Sequence, residues 1–262
     1  MMRVVMLGCG ASVGVPSLSG GWGDCDPLEP RNRRRRCSIV VEKAGRRILV
    51  DASPDLREQL LDAGIRSLDA VLFTHIHADH THGIDDLRPL YWAGRERIPT
   101  YADPATYADL HVRFGYMFQA APLSPPHHSP PLAHHRFGEG RHEIAGIAVE
   151  AFRQDHGNSG DSLGLIFDDR FAYSTDVHAL TDAQLDRLAA LRLDTWVVDC
   201  LREEPTTAHA TLAVALAWIA RVRPRRAYLT HMGYQLDYRA TLAKCPAGVE
   251  PGYDGLVLEI PG

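Results

Sequence analysis

The sequence predicts a layered α/β domain, and three observations predict it. Stretches rich in β-formers recur along the chain, and several end in His or Asp. In the last third, helical stretches alternate with strands. The 262 residues, 45% hydrophobic and 23% charged, suffice to bury one sizeable core. No fixed-period repeat and no linker interrupts residues 1–262, so a single domain is expected.

Strands are expected near 3–7, 37–42 and 46–50. Gly8, Gly10 and Gly14 let the chain turn tightly after the first, either as a plain turn or as a phosphate cradle. A helix follows near 54–63, with Ser53 as cap and Pro54 at its first position. The apolar run Ala70-Val71-Leu72-Phe73 is a strand, and short elements follow at 87–90 and 98–101. A helix runs from Pro104 to about Met117. Residues 121–131 hold too many prolines for a core element. With His127, His128, His134 and His135, that stretch reads as a rim loop, or as a lid whose histidines touch substrate. Strands near 146–153, 162–168 and 170–174 form the second half. Helices near 181–190 and 209–221 then alternate with strands near 195–199 and 226–230, and the last strand lies near 256–260.

The chemistry begins directly after the run at 70–73. His75-Ile76-His77-Ala78-Asp79-His80-Thr81-His82-Gly83 places two pairs of metal ligands within six residues. Residues two apart on an extended chain point the same way, so His75 and His77 can grip one ion. Asp79 and His80 follow a turn and can reach a second. Imidazole and carboxylate without thiolate suit zinc, manganese or iron. Three later strands end alike: 147–152 runs into Asp155-His156, 171–174 into Thr175-Asp176, and 226–229 into Thr230-His231. Strand ends are where the loops of a layered sheet carry function.

Composition excludes several classes. A net charge of −5 argues against a broad nucleic-acid-binding surface. No run of about 18 apolar residues suggests a membrane span. The apolar part of Met1–Gly8 is too short for a signal peptide. Five scattered cysteines, an odd number, point to reduced thiols and a cytoplasmic setting.

This order of ligands resembles the metallo-β-lactamase superfamily of dinuclear hydrolases over nearly the whole chain. The resemblance implies a four-layer αββα sandwich. It implies that His75, His77 and His156 hold one metal, that Asp79, His80 and His231 hold another, and that Asp176 bridges them. The expected cofactors are two divalent ions, manganese first and zinc as the alternative. Asp51 matches the family's strand-end acid and reads as a group that orients a ligand imidazole, with a simple turn residue before a helix as the alternative. His209, after the strand Trp196–Cys200 at the start of an expected helix, matches the family's catalytic histidine and is the best candidate for a general acid, with a helix-start histidine without a catalytic task as the alternative. With Asp79 and Asp51 it makes up the catalytic candidates. Hydroxide between the metals would attack phosphorus while His209 protonates the departing oxygen.

Within the superfamily, Leu7–Pro16, Pro30–Arg34, Gly83–Leu90 and Tyr253-Asp254-Gly255 resemble the PhnP-type cyclic phosphodiesterases of phosphonate catabolism. That implies small substrates such as phosphoribosyl 1,2-cyclic phosphate or 2′,3′-cyclic nucleotides. Such proteins commonly carry a structural zinc on three close cysteines and a late histidine. In Gly20–Asp26 only Cys25 matches, and Tyr234 stands where the histidine would be. One thiolate cannot make a four-coordinate site, so no structural zinc is expected. Arg31 and Arg33–Arg36 read as a solvated charge run, with steering of an anion as the alternative.

Other readings use the same metals. A tRNase Z-like nuclease would need a long arm or a basic face, and neither is visible. A PQQ-biosynthesis-type relative shares the N-terminal pattern. A thioesterase of the glyoxalase II type would not need His209 as an acid. A non-catalytic metal-binding scaffold would have degenerate ligands, whereas all seven are present. The expected partner is a small anionic phosphodiester, with no membrane and no extended nucleic acid. A homodimer is compatible with the sequence.

Overall fold

Alternation along the first strands gives a sheet with two apolar faces. The computed structural model describes residues 1–120 and 129–262. In it β1 (Met2–Gly8) turns Met2, Val4 and Met6 to one side and Val5 and Leu7 to the other. β2 (Ser38–Lys43), β3 (Arg46–Val50) and β4 (Ala70–Leu72) do the same: Ile39, Ile48 and Leu72 face inward, and Val40, Leu49 and Val71 face outward. A strand buried on both faces must be apolar throughout, which is why these read as continuous runs.

With β5 (Ile98–Ala102), β6 (Leu132–Arg136) and β14 (Val257–Ile260), these strands form one sheet in the order β14-β1-β2-β3-β4-β5-β6. The second sheet comprises β7 (Gly140–Ile144), β8 (Ile147–Asp155), β9 (Asp161–Phe167), β10 (Phe171–Ser174), β11 (Thr195–Asp199), β12 (Arg226–Thr230) and β13 (Val249–Pro251). Its order is β13-β12-β11-β10-β9-β8-β7. Val149, Leu165 and Val197 meet the inward residues of the first sheet in a shared core. Leu56 and Leu60 of α1 (Leu56–Asp62) and Leu110 and Met117 of α4 (Pro104–Phe118) cover the first sheet's outer face. Leu185 and Leu188 of α5 (Asp182–Ala190), with Ala215 and Ile219 of α6 (Leu212–Val222), cover the second. The result is the four-layer αββα sandwich.

β3, β4, β5 and β6 run parallel, as do β10, β11, β12 and β13. Loops leaving the carboxyl ends of parallel strands gather at one edge, and ligands bind there.

Several elements differ from expectation. α1 begins at Leu56 with Asp55 before it, and Ser53 instead accepts the Asp55 N–H at 3.2 Å. α6 begins at Leu212 behind the cap Thr211, so His209 lies in the loop before it. β6 and β7 were not expected, because as sheet edges they carry His, Arg and Glu in place of an apolar run. Helices Ala78–Thr81 (α2), Arg88–Gly94 (α3) and Tyr238–Lys244 (α7) are too short to show a period. The proline-rich stretch lies mostly outside the described residues. Of its histidines, His134 stacks on Tyr107 at 3.5 Å and His135 on Tyr101 at 5.1 Å. Among the described residues no helix is long and apolar enough to cross a membrane. The five cysteines are free thiols.

Gly83 locks the metal motif to the first sheet. Its N–H donates to Ala52 O at 2.9 Å, and a Cβ there would lie 1.8 Å from Ser53 O. Gly83→Ala should therefore cost about 1–3 kcal/mol in urea denaturation, because backbone has to move. A variant as stable as the parent would show that this docking is looser than drawn.

Candidate dinuclear metal centre

Three left-handed residues turn the chain out of its strands and into the site. Asp51 after β3, Asp176 after β10 and His231 after β12 have φ of 63°, 53° and 56°. Asp and His enter this region more readily than most residues, yet it costs free energy that the surrounding structure must supply. His75, His77, Asp79 and His80 follow β4, and His156 follows β8.

These loops form two groups, and Asp199, His209 and His231 make a third beside them. His75, His77, His156 and Asp176 bring one ligand atom each to within 4.8 Å of one another, and so do Asp79, His80, Asp176 and His231. Asp176 is common to both. Its carboxylate lies 3.8 Å from His75 Nε2, 3.1 Å from His80 Nε2, 3.6 Å from His156 Nε2 and 3.4 Å from His231 Nε2.

Hydrogen bonds behind the rings select the nitrogen that faces inward. His80 Nδ1 donates to Asp51 Oδ2 at 2.7 Å, and His156 Nδ1 donates to Ala208 O at 2.6 Å. Thr74 Oγ1 donates to Asp51 Oδ2 at 2.8 Å, so it accepts from His75 Nδ1 at 3.0 Å. Each of these rings therefore turns its Nε2 toward Asp176, where a cation could take the place of a proton. His77 presents Nδ1 instead, 3.3 Å from His156 Nε2. Asp51 is fully buried and also accepts the Thr74 N–H at 2.8 Å. It touches His80 and the strand end, as an orienting group would.

The residues fit a pair of divalent ions. His75 Nε2 and His80 Nε2 are buried and make no hydrogen bond among the described residues. Orphaned imidazole nitrogens beside shared carboxylates are the donor set of a borderline cation. Burial holds His75, His77 and His156 below the usual histidine range, so they stand as neutral donors. Burial opposes charge on His80 and His231 too. Asp176 and Asp79 outweigh it, raising His80 and pushing His231 up to about 9. Against their own burial, Asp79 and Asp176 are held well below the carboxylate range by His80 and His231. Cations entering here would displace protons from His80 and His231.

His209 stands at the edge of both groups. It stacks on His231 at 4.4 Å and meets His156 edge-on at 4.9 Å. Its side chain is 14% exposed, against 1% for His156 and 2% for His231, so it alone of the three is reachable from outside. Thr206 Oγ1 accepts the His209 N–H at 2.8 Å and donates to His209 O at 2.8 Å, which fixes the loop. The ring's Nδ1 donates to Asp199 Oδ2 at 3.0 Å, so Nε2 is the nitrogen not engaged by that carboxylate.

Sequence reasoning missed Asp199. It is fully buried, and its Oδ1 has no hydrogen bond but lies 3.9 Å from His231 Nδ1, which is also unpartnered. One carboxylate thus backs both His209 and His231. The signal was available: Asp199 ends an apolar strand, as Asp51 nearly does. The basic run is solvated only in part: Arg31 and Arg33 are exposed, with Arg33 over Trp22, Arg35 and Arg36 are half-buried and pair with Asp62 and Asp55, and Arg34 is buried.

Comparison with known proteins follows the same lines. The beta-lactamase superfamily domain matches residues 46–232. A diphosphatase of the PhnP family has a crystal structure 32% identical to this chain, with TM-score 0.89, covering 99% of this chain and 98% of that one. An octanoyltransferase of Porphyromonas gingivalis is 32% identical over 97% of this chain but 51% of its own length, so the chain spans about half of that relative. An anti-Pycsar protein of Paenibacillus harenae is 28% identical, over 76% of this chain and 84% of its own.

Removing the Asp51 carboxylate tests the orienting contacts. Asp51→Ala should weaken metal binding about 10–100-fold in a chelator competition. Unchanged affinity would make Asp51 a strand-end residue only.

Proposed function

Because the chain belongs to the beta-lactamase superfamily, alongside PhnP-type proteins, we propose that it is a metal-dependent hydrolase of small anionic phosphodiesters. Cyclic phosphates such as phosphoribosyl 1,2-cyclic phosphate or a 2′,3′-cyclic nucleotide are the substrates proposed. The observation that carries this reading is the pair of ligand groups sharing Asp176, with an accessible His209 against them.

His75, His77 and His156 would hold one ion and Asp79, His80 and His231 the other, with Asp176 touching both. Two divalent ions, manganese first and zinc as the alternative, would supply activated water and neutralise charge on the phosphoryl oxygens. The chain's own part is orientation and proton transfer. Nδ1 contacts from Asp51, Thr74 and Ala208 keep the inward nitrogens aimed without reorganisation. A departing sugar oxygen needs a proton, and His209 Nε2 supplies it while Asp199 stabilises the imidazolium through Nδ1. The net charge of −5 supports a small substrate over an extended nucleic acid.

A second reading rests on the PhnP-family diphosphatase, whose name supports a diphosphate link as the scissile bond. There the leaving group is a phosphate, which needs a proton less than an alkoxide does.

Two measurements separate these readings. With manganese loaded, bis-p-nitrophenyl phosphate and a 2′,3′-cyclic nucleotide should be cleaved while p-nitrophenyl phosphate is not. Cleavage of a nucleoside diphosphate alone would favour the second reading, and activity only on a thioester would remove both. His209→Ala should lower turnover of the cyclic nucleotide about 10²–10⁴-fold and spare the aryl diester, whose leaving group needs no acid. Equal losses on both substrates would take the proton-donor role away from His209.

A further inference from the structure

Arg34 is 1% exposed and makes no ion pair among the described residues. Its guanidinium instead donates to neutral acceptors. Nη1 reaches Gly233 O at 3.2 Å, and Nη2 reaches Leu236 O at 2.7 Å and Asn32 Oδ1 at 3.2 Å. Cys25 Sγ lies 4.0 Å from Nη1. The Arg34 backbone pairs with Val15 in both directions at 2.9 Å. Asn32 Nδ2 donates onward to Asp237 Oδ2 at 2.6 Å, so a carboxylate stands one side chain away from the buried charge.

A buried cation is costly unless it organises what surrounds it. Only the backbone of Arg34 reaches the turn at 9–17; its side chain ties three segments: the turn at 20–25, its own strand-like stretch, and the loop 232–237 that leaves His231. That loop is also held by Met232 N–H to Cys9 O at 2.9 Å and Ala11 N–H to Met232 O at 3.1 Å. Tyr234 closes the other side: a Cβ on Gly23 would lie 2.4 Å from its ring, and one on Gly20 would lie 2.9 Å from it. The structural zinc that the resemblance implies does not fit here. Cys25 is the only thiol in 20–26, the late position is Tyr234, and a permanent cation already lies beside the sulfur.

We propose that Arg34 is a positioning residue, an internal guanidinium staple that takes the place of a structural ion and sets His231 through the loop behind it. The last step rests on the reading of His231 as a metal ligand, and the test keeps the two apart.

The test uses the 262-residue chain with Arg34→Met, which removes one donor from three oxygen acceptors and, among the described residues, leaves Leu236 O with none, and with Arg34→Lys, which keeps the charge and loses the fork. In metal-free protein, hydrogen exchange at amides 232–238 should quicken at least about tenfold in R34M, less in R34K. In stepwise manganese titration, one of the two ions should bind about 10–100-fold more weakly. Cys25→Ser should change neither reading. Exchange as slow as the parent's in both variants overturns the staple. Fast exchange with unchanged affinities overturns its link to His231. A third tightly bound ion in the parent, lost in C25S, overturns the replacement of a structural ion. His231→Ala retaining two tightly bound ions would instead remove the metal reading of His231 and leave the exchange result standing. If R34M does not fold, R34K is read by the same outcomes.

Discussion

Imidazoles from both sheets converge on one buried carboxylate, Asp176, and the rest of the site follows from that convergence. Four ring nitrogens lie within 3.8 Å of its oxygens, two from the loop after β4 and two from loops of the second sheet. Asp51, Asp79 and Asp199 are buried close by. Such a concentration of titratable groups gains nothing from apolar packing and would be expensive if left uncompensated. The sandwich tolerates it because parallel strands in both sheets end at the same edge. The acids and imidazoles there compensate one another, and cations would do so more completely.

Preorganisation is built in behind these imidazoles. Asp51 holds His80 and the Thr74 turn, Ala208 O holds His156, and Asp199 faces both His209 and His231. Three strand-end residues accept left-handed backbone to bring their side chains inward. Strain of this kind gathers where geometry matters more than stability. Arg34 extends the same logic one layer outward, because a rigid fork can hold several carbonyls where a lysine would hold one.

Much of this was legible before any coordinates. His75-Ile76-His77-Ala78-Asp79-His80 announces itself, because ligands two apart on a strand and then across a turn need no tertiary information. His156, Asp176 and His231 stand out as candidates because each follows an apolar run. Asp199 follows one too, but in sequence it marks only the strand before His209, since burial and facing cannot be seen there. β6 and β7 were hidden by their charged edge positions. Arg34 was hidden by its neighbours: in a run of arginines, nothing local distinguishes the buried one from those that pair with surface acids or stack on Trp22.

If Asp176 is shared by two ions, anomalous diffraction from crystals grown with manganese should show two peaks roughly 3.5–4 Å apart, both in contact with Asp176. One should lie among His75, His77 and His156, and the other among Asp79, His80 and His231. A single peak, or two peaks of which Asp176 touches only one, would contradict that sharing.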